Sequence, residues 1–379
     1  MNDVEETIEG IEKGDIEDKD TTPDDLERKY REQMRQIVTQ KIDLPVSALP
    51  AMLDGQIKLN PEFQRRDRWD TVRQSRLIES LFMNVPIPPV FLGEDEYGHY
   101  VVLDGRQRLT AIKDFLNNTL TLQKLEVWDN LNGKIYQDLI KKGFDKHLTR
   151  RFIPAVVILK ESSPAVKYDV FDRLNTGGVK ANEMEIRNAV FRGEFSKLLH
   201  DLSANEKFRK MWNIPVDESQ AENVEMYKQM EDLHLVLRFF ALRDRSSMSM
   251  KFKDHLSDFM QRRNNEYNDN PELKENDKET FINAINNSWT VFGEDAFLKP
   301  ANDNGKRYRS FPLSDAVMIS MSSIEPSHIT DRNIGRIKKC TEALFKNPDF
   351  VKSITSGTNG KGAITKRIEL MSEAIKKAL

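Results

Sequence analysis

The residues whose types and spacing are best suited to chemistry are Asp104-Gly105-Arg106-Gln107-Arg108. They follow Tyr100-Val101-Val102-Leu103, an apolar run that reads as a buried strand, and they open a segment whose Leu109, Ile112, Phe115 and Leu116 recur with a helical period. A strand ending at Asp104 delivers the chain to Gly105, which permits a tight turn and a close approach of ligand to backbone. A helix beginning near Arg106 presents free N–H groups and the positive end of its dipole, a setting that favours an anion. That helix end contributes about 0.3–1 kcal/mol, or ~2 when partly buried, too little to hold a triphosphate alone. Arg106 and Arg108 supply further positive charge in the same turn. Gln107 can donate and accept, as orienting a water requires. Phosphate repels a carboxylate unless a divalent metal bridges the two, so Asp104 is the candidate metal ligand. The competing reading is an ordinary Asp-Gly turn with solvated arginines, and the motif is far less specific than a Walker A loop.

Two more clusters join it. Pro61-Glu62-Phe63-Gln64-Arg65-Arg66-Asp67-Arg68-Trp69 sets three arginines and two aromatics beside an expected extended segment. Phe171-Asp172-Arg173-Leu174-Asn175-Thr176-Gly177-Gly178-Val179-Lys180 reads as a helix C-terminus turning sharply into a loop, or simply as a helix–loop–helix connection.

The elements that must position these residues are legible from periodicity. A helix is expected from Pro23, at its first position, to about Gln40. Ser47 can cap a helix that Gly55 ends, and Asp70 can cap one burying Val72, Leu77, Ile78, Leu81 and Phe82. Pro86, Pro88 and Pro89 stop that helix and feed an extended run, Val90-Phe91-Leu92. Asp95-Glu96-Tyr97-Gly98 reads as a hairpin turn. Another strand is expected at 153–159, and helices at 164–174 and 182–191. Beyond about Phe195 the pattern is almost wholly helical, with helices expected at 224–244, 252–265, 280–292, 314–322 and 363–378. No repeat of fixed period occurs. The fold class expected is α+β, a mixed α/β N-terminal domain followed by a mostly α-helical C-terminal domain.

Composition narrows the classes. The chain has 379 residues, 38% hydrophobic and 31% charged, enough for two cores. One cysteine, Cys340, rules out an intramolecular disulfide and a cysteine-rich zinc site. With no apolar run of spanning length and no signal-type segment, a cytoplasmic protein without membrane contact is expected. Residues 1–25 hold eleven of the 61 acidic residues and two of the 58 basic ones. The remainder is therefore mildly basic, which permits nucleic acid or a triphosphate as a partner without demanding either.

In this order, Pro61-Glu62-Phe63-Gln64-Arg65, Leu77-Ile78-Glu79-Ser80, Pro86-Ile87-Pro88-Pro89, Leu103-Asp104-Gly105-Arg106-Gln107-Arg108-Leu109, Arg173-Leu174-Asn175-Thr176-Gly177-Gly178 and Asn182-Glu183-Met184-Glu185-Ile186-Arg187-Asn188-Ala189 resemble the domain-of-unknown-function 262 family, of the GmrSD S-subunit type. The resemblance spans about 42–199 and, more loosely, the helical half. It implies a ParB/sulfiredoxin-like fold whose Asp-Gly-Gln-Gln-Arg motif is associated with nucleotide binding and hydrolysis. Asp104, Gly105, Gln107 and Arg108 match that motif, and Arg106 stands where the first Gln is usual. The substitution adds positive charge but leaves one Gln to orient a water. Gln64 and Arg65 match the family's other pocket motif and are expected to form the opposite wall.

The resulting expectation is an acidic tail (1–23), an N-terminal helix (24–41), a nucleotide-pocket domain (42–199) and a helical domain (200–379). Asp104, Gln107 and Arg108 are the candidate catalytic residues. Gly105, Arg106, Gln64, Arg65, Arg173 and Asn175 are the candidate nucleotide-binding residues. Mg²⁺ at Asp104 with a nucleoside triphosphate is the expected cofactor. The function expected is nucleotide binding and hydrolysis in phage defence or modification-dependent DNA restriction, with DNA and a separate nuclease subunit as candidate partners and homo-oligomerisation left open. The alternatives are a nucleotide-gated DNA-binding module and a metal-dependent nuclease using the same pocket. The six histidines stand singly, without the pairing a His-based nuclease needs, and Asp254-His255 falls in an expected helix. Sulfiredoxin activity lacks its cysteine, and no Gly-x-Ser-x-Gly elbow occurs. Gly357-Thr358-Asn359-Gly360-Lys361-Gly362 lacks Walker spacing and reads as a flexible loop before the last helix, with Lys361 and Lys366 within reach of phosphate.

Overall fold

The computed structural model describes residues 37–59, 69–162, 164–174, 182–245, 248, 251–302 and 304–379. The acidic tail and nearly all of the helix expected at 24–41 lie outside them. Thr39 to Lys41, expected at the end of that helix, instead begin a strand, β1 (Thr39–Pro45). The reason is a partner distant in sequence: Thr39 pairs with Ile158 and Pro45 with Phe152 on β5 (Phe152–Ile158).

Three further strands complete a mixed sheet: β2 (Ile57–Lys58), β3 (Val90–Glu96) and β4 (His99–Asp104). The order is β1-β5-β3-β4-β2. β3 and β4 form the antiparallel hairpin expected around Tyr97-Gly98, with Gly98 at φ 75°. β3 lies parallel to β5, and β2 lies parallel to β4. Alternation along the strands assigns the two faces. Val90, Leu92, Val102 and Val157 pack with Leu77, Ile78 and Leu81 of helix α2 (Thr71–Phe82) and with Leu109, Ile112 and Phe115 of helix α3 (Arg106–Leu116). Their neighbours Leu103 and Ile158 belong to the other core, with Tyr168, Phe171 and the helical half. Each such side chain contributes roughly 1.5–3 kcal/mol on burial, so the sheet is held from both sides.

Capping agrees with expectation at α2, where Asp70 accepts from the Arg73 N–H at 2.7 Å. It differs at α1 (Leu49–Gly55): a 3-10 turn at Val46–Ala48 precedes it, Pro50 occupies its first turn, and Ser47 does not cap it. The helix expected at 164–174 runs from Pro164 to Leu174, and Asn182 caps Glu183–Val190 through the amides of Met184 and Glu185.

The C-terminal half is helical. Its central helix, Glu231–Arg243, is buried almost all round, through Leu233, Leu235, Val236, Phe239 and Phe240 among others. Helices Glu194–Ser203, Phe252–Asp269 and Phe311–Met321 pack about it. The single helix expected over 224–244 is broken at Met230, whose φ of 53° separates Glu225–Lys228 from Glu231–Arg243. That kink lets Tyr227 and Met230 both enter the core. His255 is buried and its Nε2 meets the Ala241 carbonyl at 2.9 Å, a core histidine. No described helix is long and apolar enough to cross a membrane.

Candidate phosphate-binding turn

β4 ends at Asp104, and Gly105 then adopts φ 91°, ψ 10°, a left-handed conformation that L side chains rarely occupy. A Cβ at Gly105 would lie 2.4 Å from Cγ1 of Val90, which is fully buried on β3. Glycine is thus required twice, by the backbone angle and by the close approach of strand and turn. α3 follows at once, and no side chain caps its start. Its first turn, Arg106-Gln107-Arg108, therefore presents the positive end of an 11-residue helix at the C-terminal end of a strand.

The motif's side chains do not all point at an open site. Arg108 Nη2 donates to Asp104 Oδ2 at 2.6 Å, while Nη1 donates to the Pro88 carbonyl at 2.5 Å and more weakly to that of Pro89 at 3.4 Å. Its side chain is only 12% exposed, whereas that of Asp104 is 44% exposed. Arg108 therefore fixes the Asp104 carboxylate against the segment that leads into β3. Gln107 Oε1 accepts the Trp69 N–H at 3.0 Å. Trp69 is the last residue of the Pro61–Trp69 cluster, so this bond ties the end of the second basic motif to the first turn of α3. Arg106 is half-buried in the same turn.

Among the described residues no group of three or more His, Cys, Asp or Glu side chains converges as a metal centre. Asp104 is the one carboxylate of the turn; Arg108 holds its Oδ2 at 2.6 Å, and a Mg²⁺ there would need substrate phosphates for its remaining ligands. Gln64, Arg65 and Asn175 lie outside the described residues. Arg173 is exposed at the end of helix Pro164–Leu174, and no described contact joins it to the turn.

Two buried carboxylates to which the sequence assigns no role, Glu79 and Glu94, hold backbone amides elsewhere in this domain. Glu79, on α2, is buried, and its Oε1 accepts the amides of Glu126, Val127 and Trp128 at 3.1, 2.8 and 2.9 Å. It anchors the loop after α3 and presents Trp128 to Phe82 and Phe144. Glu94, on β3, bonds the Gly98 and Lys160 amides. The signal available was an acidic residue within each apolar stretch, Leu77-Ile78-Glu79 and Phe91-Leu92-Gly93-Glu94.

Comparison with curated proteins and with solved structures gives no match. A protein-family model does match: residues 49–192 are similar to the GmrSD restriction endonuclease, N-terminal domain. That stretch contains β2 to β5, α1 to α3 and the whole Asp104–Arg108 turn, and the similarity supports a GmrSD-type family for this part of the chain.

Proposed function

We propose that the Asp104–Arg108 turn binds the phosphates of a nucleoside triphosphate with Mg²⁺, and that its hydrolysis serves modification-dependent DNA restriction in phage defence. A separate nuclease subunit makes the cut. The observation that supports this most is Gly105, where the backbone is pressed onto Val90 in a left-handed conformation at the uncapped start of α3. A helix start at a strand's C-terminal end is where α/β proteins take phosphate. The similarity of residues 49–192 to a restriction endonuclease domain supplies the biological setting.

In this reading, the Gly105 backbone and the first turn of α3 hold phosphate, and Arg106 neutralises charge. Asp104, aimed by Arg108, holds the metal. Bound Mg²⁺ supplies charge neutralisation at the phosphate oxygens. Gln64, Arg65, Arg173 and Asn175 are the further nucleotide-binding residues of this reading. Gln107 orients the attacking water once it leaves the Trp69 amide.

One observation favours a second reading, a nucleotide-gated DNA-binding module without significant hydrolysis. Gln107 and Arg108 are both committed to holding neighbouring backbone and Asp104. In that reading nucleotide acts by breaking the Gln107–Trp69 bond and so releasing the Trp69 backbone.

The test is phosphate release from ATP, GTP, CTP and UTP with Mg²⁺, with and without DNA, for the wild type, Asp104→Ala and Arg106→Ala. Turnover lost in both variants supports the first reading. Undiminished turnover in both variants refutes it. Nucleotide binding without turnover, coupled to a change in DNA affinity, selects the second.

A further inference from the structure

The helical half contains an open cavity of about 590 Å³, distant in sequence from the Asp104–Arg108 turn. Three segments supply its polar lining, and Ile354 of helix Pro348–Thr355 adds an apolar wall. The central helix Glu231–Arg243 contributes His234 and Arg238. The stretch leading into helix Phe311–Met321 contributes Lys299 and Tyr308 to Pro312, with Lys299 bonded to Tyr308 through their backbones at 3.0 Å. The loop before helix Lys361–Ala378 contributes Thr358 and Asn359. Three cations, Arg238, Lys299 and Arg309, line the cavity, and no carboxylate does among the described residues.

The charge is not neutralised from beneath. Asp315 accepts from Arg238 Nε and Nη2 at 3.1 and 2.5 Å, and from Arg367 Nη2 at 2.7 Å. Two guanidinium groups on one carboxylate leave an excess of positive charge under the cavity floor. Arg309 uses Nε on the Met211 carbonyl, and among the described residues neither its Nη atoms nor the Lys299 ammonium has a protein hydrogen-bond partner. Two carboxylates act on Arg309 from outside the lining, Asp295, which also pairs with Arg307 at 2.7 Å, and Glu294.

The loop before helix Lys361–Ala378 is not a flexible connector but is built into this wall. Arg367 Nη1 donates to the Thr358 carbonyl at 2.6 Å, and Arg238 Nη1 reaches Asn359 Oδ1 at 3.3 Å. Flat apolar faces stand beside the cations: Tyr308 is 54% exposed, and Phe311 is held edge-on by Trp212 at 5.3 Å. Arg238 is already paired with Asp315, but Lys299 and Arg309 keep donors without a protein partner among the described residues, and cations of that kind beside an aromatic face are the combination that takes a phosphate and the base attached to it.

We propose that this cavity binds a nucleotide unit, with its phosphate at Lys299, Arg309 and Arg238 and its base against Tyr308 and Phe311. The source is a free nucleotide or a unit of a nucleic-acid strand, and the volume admits either. The site is independent of the Asp104–Arg108 turn, so it stands whether or not that turn hydrolyses nucleotide.

The experiment titrates the full chain by calorimetry with ADP and, separately, with a mixed-sequence single-stranded DNA 8-mer. It compares wild type, Lys299→Glu and Lys299→Ala/Arg309→Ala. Thermal melts control for folding, and Lys299→Glu breaks no described side-chain contact. The expected result is a loss of about ten- to a hundred-fold in affinity for at least one probe. The double variant's salt slope for the strand should fall by about 0.7, the value for one phosphate contact on a single strand. Loss confined to the 8-mer assigns the site to a strand, and loss confined to ADP assigns it to a free nucleotide. Equal affinity of all three proteins for both probes, or no binding of either probe to wild type, overturns the proposal.

Discussion

Replacing Arg108 by alanine separates two roles that the motif alone does not distinguish. If Arg108 met phosphate directly, the folded state without ligand would scarcely notice its loss. The structure instead has it clamping Asp104 and the Pro88 carbonyl, with the guanidinium largely buried. A hydrogen bond to a charged group contributes about 1.5–3 kcal/mol net. The Asp104 bond is discounted to about 1 kcal/mol because that carboxylate is 44% exposed. Together the two bonds give a loss of roughly 2.5–4 kcal/mol, or a fall in Tm of roughly 3–5 °C for a chain of 379 residues. The assay is a thermal melt of the full chain without nucleotide, beside a nucleotide titration of the same preparations. Arg108→Lys, which keeps the charge but not the fork, should recover only part of the stability. A ligand-free melt of Arg108→Ala within 1 °C of wild type, with nucleotide affinity lost, would refute the clamp and return Arg108 to direct phosphate contact.

Other perturbations follow from the same geometry. Gly105→Ala forces a Cβ to 2.4 Å from Val90 at φ 91° and should destabilise by about 2–4 kcal/mol, measured by denaturant titration; a loss below 0.5 kcal/mol would mean the turn relaxes freely. Glu79→Ala leaves three amides without their acceptor and should cost about 2–4 kcal/mol, with faster hydrogen exchange at residues 126–128; unchanged exchange there would remove the anchoring role. Asp315→Ala strands two buried guanidinium groups and should destabilise by about 3–5 kcal/mol, while a Met-Leu-Met replacement of Arg238, Asp315 and Arg367 should restore much of it; a mild single variant would show that water reaches the cluster. Burial first, then the Arg238 and Arg187 guanidinium groups, hold the His234 imidazole well below its ordinary value of 6.5. The unfolded chain therefore takes up this proton first, so the stability His234 contributes is present above about pH 6.5 and declines as pH falls below it. His234→Gln should flatten that decline, and parallel wild-type and variant stability curves between pH 5 and 7 would contradict it.

Local pattern was enough to find most elements in this chain. Alternation and periodicity located β4 and α3, the Tyr97-Gly98 turn, the Asp70 and Asn182 caps and the helical second half, because each depends on contacts within a few residues. The Asp104–Arg108 turn was equally legible, since a strand, a glycine and an amphipathic helix in sequence define it. What pattern could not assign was the use of each polar atom. Arg108 is bound to Pro88 and Gln107 to Trp69, partners 20 and 38 residues away, and Glu79 meets its amides 47 to 49 residues on. The strand start at Thr39 was hidden for the same reason, as its partner Ile158 lies on β5. The basic cavity joins segments around His234, Lys299 and Asn359, none adjacent in sequence. Short-range periodicity records which side of an element faces the core; only the closed tertiary structure decides which distant donor meets which acceptor, and where cations are left without one.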